Sequence, residues 1–475
     1  MRKFLTLLAA LLIALPLSLP ASAEQNPGQP PTLYAEAAIL VDADTGQVLY
    51  QKNPDKKMYP ASITKLMTCL IAMEEAQPDD VVTMTDEAVF AVPRDTTHIA
   101  LTGGEQLTVE QLEYAMMVES ANDAANGLAV HLAGSLEAFA RRMNSRAAEL
   151  GLQNTNFVNA NGLPNTAHYT SARDMAVITR EAYGHPEFRT LAGTTHYEIP
   201  PTNKQAETRR LNNRNYMFTL NDTYPGAFAG KVGWTEESGH TLVTLAERGG
   251  VTLICIVLHS DGVIDAQYID STNLFDYGFG AFSRTAVPAS KIERREASYT
   301  GADGGTLTAS LAAEGEASVL LPAGTTADDL GVRYSIPDPL TPETAAEARA
   351  ELVLPSPPGR MEEVVGTVPL ALSLPQPEAM PADGAPQKDG KSPLPMLLRW
   401  AGILGGVLLG LAVLLLVVRA VLRARYRKMR RRRRRVNRAA PPQARPRPRP
   451  ETFIDVRTGK DAKDKIRIID VEELK

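Results

Sequence analysis

Nineteen consecutive residues near one end of the chain, Trp400 to Val418, carry no charge and are almost wholly apolar. As a helix rising ~1.5 Å per residue, such a run spans about 28 Å, the thickness of a bilayer's hydrocarbon core. Basic residues follow at once, with Arg430 to Arg435 unbroken, and basic flanks stay on the cytoplasmic side. At the other end Arg2 and Lys3 precede an apolar run from Phe4 to about Leu19 and the triplet Ala21-Ser22-Ala23. That order reads as a secretory signal peptide over residues 1–23, with a mature start near Glu24. The expected topology is a single-pass protein of the cell membrane. Residues 24 to about 395 lie outside, and a cytoplasmic tail covers 419–475.

Charge divides at the same place. Arg419 to Lys475 holds 21 basic and 7 acidic residues, leaving 29 basic and 48 acidic for the remainder. The near-balanced total therefore hides an acidic exterior and a basic tail. A basic run beside a membrane span favours anionic lipid headgroups over nucleic acid, so no nucleic-acid partner is expected. Gly402, Gly406 and Gly410 repeat every fourth residue, a spacing that lets two membrane helices pack closely and makes a dimer of the span possible. Arg445 to Pro450 reads as an extended spacer, and Ile466 to Val471 as a short strand.

The exterior, about 370 residues, exceeds one ordinary domain. Ala38 to Val41 and Gln47 to Tyr50 flank a turn-rich stretch and read as a hairpin. A largely helical stretch follows from Ser62 to about Tyr183, with Ser171 to Asp174 in capping-box form. Gly239 to Ala246 and Val251 to Leu258 read as a second hairpin. Strands at both ends with helices between predict an α+β domain over 33–283, an antiparallel sheet flanked by helices. Residues 287–372 contain short apolar segments at Leu307–Leu311, Ala317–Leu321, Val332–Ile336 and Glu351–Leu354, which predict a small β-sandwich. Residues 373–395 are rich in proline and small residues and read as a tether to the membrane.

Ser62-Ile63-Thr64-Lys65 is the only S-x-x-K pattern in the chain. Serine is a poor nucleophile without a base in hydrogen-bond reach. Residues three apart on a helix share a face, so Lys65 stands beside Ser62. A desolvated lysine can lose its proton and take the one from the serine. Neither histidine nor metal is needed. The seven histidines form no familiar zinc-ligand spacing and there is no glycine-rich phosphate loop, so no metal and no cofactor is expected. Cys69 and Cys255 both fall in apolar segments and read as small buried hydrophobes, although an exported chain could pair them.

Two further motifs follow in order, Ser120-Ala121-Asn122 and Lys231-Val232-Gly233. The set S-x-x-K, S-x-N, K-[ST]-G is that of penicillin-binding proteins and serine β-lactamases. The chain resembles the low-molecular-mass penicillin-binding proteins, the D-alanyl-D-alanine carboxypeptidase family, over roughly residues 33 to 283. Ala37 to Asp55, Pro60-Ala61, Ser120 to Asn126, Asn161 to Leu163 and Tyr169 to Asp174 resemble family segments as well.

The resemblance implies a transpeptidase-like fold, with Lys231 on an edge strand beside the Ser62 helix and the following β domain as a stalk. It implies D-alanine release from peptidoglycan stem peptides through an acyl-enzyme, inhibited by β-lactams. Ser62 would be the nucleophile, Lys65 the general base and Ser120 a proton relay. Asn122 and Lys231, with Gly233 and Trp234, would bind substrate, and the N–H groups of Ser62 and Trp234 would form the oxyanion hole. Val232 departs from the pattern, because the family carries a hydroxyl there to help hold the substrate carboxylate. Losing one charge-assisted hydrogen bond costs about 1.5–3 kcal/mol, so weakened turnover or altered substrate choice is expected. Thr235 or Thr241 could supply a substitute hydroxyl. A spanning helix with a cytoplasmic tail is a second departure. Three alternatives stand beside the carboxypeptidase: a cross-link endopeptidase, a β-lactamase, and a pseudoenzyme that senses peptidoglycan. The β-lactamase lacks a clear E-x-x-x-N deacylation segment here.

Overall fold

The computed structural model describes residues 29–220, 223–313, 315–355 and 363–375. The signal peptide, most of the tether, the apolar run Trp400–Val418 with its glycines, and the basic tail lie outside these residues. Among the described residues no helix is long and apolar enough to cross a membrane.

The chain begins with the expected hairpin, β1 (Ala37–Asp42) and β2 (Val48–Lys52). A short 3-10 turn at Ala61–Thr64 leads into helix α1 (Lys65–Glu75). Then come β3 (Val81–Thr83), α2 (Asp86–Phe90), β4 (Gln106–Thr108), α3 (Val109–Val118), α4 (Asn122–Ala133), α5 (Leu136–Glu149), α6 (Ala172–Tyr183) and α7 (Phe188–Gly193). A small hairpin, β5 (His196–Ile199) with β6 (Arg209–Asn212), and a short helix α8 (Tyr216–Thr219) follow. The chain then returns through β7 (Ala227–Thr235), β8 (Gly239–Arg248) and β9 (Val251–Leu258) to helix α9 (Ala266–Ala281).

The main sheet has the order β2-β1-β9-β8-β7, with every pair antiparallel. Strand alternation splits its side chains between two cores. Ile39, Val41, Val243, Leu245, Ile254 and Ile256 face the helices α1 and α3 to α6. Ala38, Leu40, Leu242, Leu253, Cys255 and Val257 face α9. Both faces are covered, which is why Val251 to Leu258 is nearly continuous in apolar residues rather than alternating. Cys69 belongs to the first core and Cys255 to the second, so the sheet separates two free, buried thiols.

Three local features differ from the sequence expectation. The helical stretch is interrupted by the antiparallel β3–β4 strand pair, with α2 between its strands, and by irregular chain from Gly151 to Ser171. Three-residue strands are too short to show a period. The capping box at Ser171 is half made. The serine accepts the Asp174 N–H, but the Asp174 carboxylate instead takes Asn154 N–H and the Thr155 hydroxyl.

The third difference lies at the domain junction. Helix α9 runs directly into β10 (Phe282–Val287), which pairs with β13 (Ala317–Pro322). The remaining strands are β11 (Arg295–Thr300), β12 (Thr306–Ala313), β14 (Gly331–Ser335), β15 (Arg349–Leu354) and β16 (Glu363–Ser373). They form a second five-stranded sheet, β11-β12-β16-β15-β14. Val287, Val319 and Leu321 from the two-stranded sheet share one core with Leu311, Leu352 and Val365 from the five-stranded sheet.

Two contacts fix this β-rich unit to the hairpin of the first domain. Arg284 reaches Asp42 at 3.1 Å and Asp44 at 2.9 Å. Gln47 donates to the Leu320 carbonyl at 2.6 Å and accepts its N–H at 2.9 Å, so one side chain substitutes for a neighbouring strand. Gln47→Ala leaves both buried Leu320 groups without that partner, a cost of about 1–3 kcal/mol. We expect a lower unfolding midpoint in denaturant; an unchanged midpoint would show that the two units do not depend on this bridge.

Candidate active site

The 3-10 turn that carries Ser62 is held from several sides. Met58 bridges to Thr170 in antiparallel fashion. The Thr241 hydroxyl donates to the Pro60 carbonyl at 2.9 Å, and the Thr68 hydroxyl to Ala160 O at 2.7 Å. Gly162, at φ +90°, lies so close to Ala61 that any Cβ there would overlap its carbonyl. Gly233 of β7 faces the same turn, where a Cβ would stand 2.9 Å from Ser62 N. Glycine is required at both places by close approach, and at Gly162 also by the left-handed backbone.

Lys65 starts α1 and is wholly buried. Its Nζ lies 3.0 Å from Ser62 Oγ, 2.7 Å from Asn122 Oδ1 and 2.6 Å from the Asn161 carbonyl. The last two atoms are acceptors only. A neutral amine can donate one proton to each and turn its lone pair to the Ser62 hydroxyl. Burial pushes the Lys65 pKa well below the ordinary lysine value, and the nearby Lys231 charge adds to this, with Asp123 opposing.

Lys231 lies on β7, the open edge of the sheet. It is 2% exposed, and its Nζ donates to Ser120 Oγ at 2.9 Å and to Val232 O at 3.0 Å. Burial pushes its pKa down to about 7, helped by Arg214 and opposed by Glu119. Ser120 occupies the tight turn between α3 and α4 at φ +66°, a conformation costing a non-glycine residue about 1–2 kcal/mol. Asn122 opens α4, and its amide also donates to Thr96 Oγ1 at 3.1 Å.

Ser62, Lys65, Ser120, Asn122, Lys231 and Gly233 are therefore brought together. Trp234, the next residue on β7, is 62% exposed at the rim, its ring 6.4 Å from that of His240. The Val232 side chain packs with the second core, on the α9 side of the sheet. Neither proposed substitute hydroxyl is free for it. Thr241 is buried against Pro60, and Thr235 is tied to Ser238 in the β7–β8 turn.

Sequence reasoning missed the Asn161 carbonyl, which is a backbone group without a side-chain signature. It also missed Arg214, paired to Glu119 at 2.9 Å beside Lys231. A separate cavity of about 670 Å³, lined by Phe90, Arg94, His98 and Asp123 among others, does not include Ser62 or either lysine.

A serine within hydrogen-bond reach of a buried lysine, on a turn between a helical layer and the edge of an antiparallel sheet, is an arrangement suited to a serine nucleophile. Residues 23–262 match the family model described as D-alanyl-D-alanine carboxypeptidase, and the chain belongs to that family. It is 33% identical over 251 residues to the D-alanyl-D-alanine carboxypeptidase DacF of Bacillus subtilis, covering 52% of this chain and 63% of that one. It is 32% identical over 258 residues to the D-alanyl-D-alanine carboxypeptidase of Streptomyces sp. strain K15, covering 52% of this chain and 88% of that one. Among solved structures, penicillin binding protein 5 from Haemophilus influenzae is similar at TM-score 0.58 and 25% identity, over 72% of this chain and 98% of that one.

Gly162→Ala forces the Ser62 turn to move. Overpacking and left-handed strain together cost about 3 kcal/mol or more. The expected outcome is a clearly lower thermal midpoint and faster amide exchange at Ser62; wild-type behaviour in both would show that the turn has slack.

Proposed function

We propose that the protein is a serine D-Ala-D-Ala carboxypeptidase that removes the terminal D-alanine from peptidoglycan stem peptides. The observation that carries this is the Lys65 amine, 3.0 Å from Ser62 Oγ with two fixed acceptors on its remaining protons. Lys65 takes the Ser62 proton as Oγ attacks the carbonyl between the two D-alanines. Ser120, bonded to Lys231, relays a proton to the leaving amine. Asn122 binds the peptide backbone and Lys231 the terminal carboxylate. The N–H groups of Ser62 and Trp234 hold the oxyanion, donors whose loss typically costs about 10²–10³ in rate. Water then frees the shortened peptide. A penicillin presents a similar carbonyl and carboxylate and acylates the same serine. The run Trp400–Val418 and its basic flank support tethering of this domain outside the cell membrane.

The test is D-alanine release from a peptide ending in Lys-D-Ala-D-Ala, with Ser62→Ala as control. Release by the wild type and none by the variant is expected, as is penicillin labelling of the wild type alone. Activity retained in Ser62→Ala would remove the nucleophile. Val232→Thr, whose hydroxyl would lie on the α9 side of the sheet, is expected to leave kcat/KM within about threefold of wild type; a rise of about tenfold would show that residue 232 reaches the substrate carboxylate. If only the variant releases D-alanine while both bind the peptide, the wild type is a peptidoglycan sensor.

The two lysines set the pH dependence. Lys65 must be neutral, so activity falls as pH drops through its depressed pKa. Lys231 must be charged, so kcat/KM falls as pH rises through about 7. A bound carboxylate favours the ammonium, so the alkaline limb of kcat lies at higher pH. A kcat/KM flat from pH 7 to about 10 would exclude a charged Lys231 from recognition.

A further inference from the structure

Behind the Ser62 turn sits a histidine that the mechanism above does not use. His168 is 0% exposed, packed edge-on to the Phe157 ring at 5.7 Å. Its Nδ1 lies 3.1 Å from the Val158 N–H, and its Nε2 lies 2.9 Å from the Thr64 hydroxyl. A backbone N–H can only donate, so Nδ1 accepts and carries no proton. The neutral ring must then bear its proton on Nε2 and give it to Thr64 Oγ1. Thr64 is the residue immediately before Lys65 and the last of the turn that carries Ser62.

We infer that His168 is a positioning residue: as a neutral imidazole protonated on Nε2, it ties Thr64 to the Val158 backbone and so fixes the Ser62–Lys65 geometry. The inference rests on the reading of Ser62 and Lys65 as nucleophile and base. The charged group that acts on the ring is Lys65. Protonating the ring would put a cation beside the Lys65 amine and set an N–H against the Val158 N–H. Burial, with Lys65 adding to it while charged, pushes the ring's pKa down to about 4, which keeps the ring neutral near pH 7.

Two substitutions separate positioning from simple filling of space. His168→Gln can keep a donor near the Nε2 position toward Thr64, whereas His168→Asn can keep only an acceptor near Nδ1. The readout is the rate of covalent labelling by a fluorescent penicillin, with the thermal midpoint measured alongside. His168→Asn is expected to slow acylation about tenfold to a hundredfold, with His168→Gln within about threefold of wild type. Thr64→Val is expected to copy His168→Asn, and the double variant to be no slower than either single one. Equal slowing by Asn and Gln that follows the midpoint, or fully additive single effects, would overturn the inference. Nitrogen NMR of the wild-type ring tests it without any activity. A neutral Nε2–H form at pH 6 supports it, and an Nδ1–H form or a charged ring there overturns it. A wild type that shows the Nε2–H ring but no penicillin labelling would instead sink the reading of the active site.

Discussion

The structure depends on two lysine amines taken out of water. Lys65 and Lys231 are both buried, the Lys231 charge adds to the cost of charging Lys65, and among the described residues no carboxylate hydrogen-bonds to Lys65. Isolated buried charge is among the most expensive things a protein can hold. The site offers Lys65 no anion; burial lowers its pKa well below the ordinary lysine value, which favours the neutral amine. Its neighbours are a hydroxyl, an amide oxygen and a peptide carbonyl, which satisfy a neutral amine as well as a charged one. An aspartate in the place of Asn122 would secure the proton and cost the base.

That solution works only if the acceptors stay where they are, and much of the first domain's irregular structure serves this. Gly162 brings the Asn161 carbonyl up to Lys65 by passing close to Ala61. Asn161 is held in turn by Asn126 at 3.0 Å, one turn along the helix that Asn122 begins. Ser120 takes a left-handed conformation so that its hydroxyl meets Lys231 while Asn122 can open α4. Local strain of about 1–2 kcal/mol at such a residue persists because its surroundings leave it no alternative.

The sheet strands near the ends of the first domain were legible because Ala37–Asp42, Gly239–Arg248 and Val251–Leu258 carry apolar residues bounded by turns. The Ser62–Lys65 pair was legible because three-residue spacing places both on one face, which holds even though Ser62 lies in a 3-10 turn before the helix. Convergence with Lys231, 111 residues beyond Ser120, was not in any local pattern and came from the family resemblance. Phe282–Val287, Arg295–Thr300 and Glu363–Ser373 were missed as strands. They mix charged, small and proline residues, and their partners supply the burial that their own sequences do not announce. Backbone participants such as the Asn161 carbonyl leave no trace in residue type at all.

Val232 shows how a motif can change without loss of the fold. Its side chain joins the second core, where valine suits a pleated strand better than a hydroxyl would. Lys231 is held independently of that side chain, by Ser120 and by the Val232 carbonyl. Any residue type at 232 offers that carbonyl, so the lysine keeps its position. Valine at 232 offers no hydroxyl from that position. Beside Lys231, Arg214 adds positive charge and its partner Glu119 subtracts from it. Recognition by field is less directional than recognition by hydrogen bonds. On the proposed reading, residue 232 therefore bears on which carboxylates are accepted more than on whether Ser62 can be activated, because Lys65 and its two fixed acceptors, Asn122 Oδ1 and the Asn161 carbonyl, are held without it.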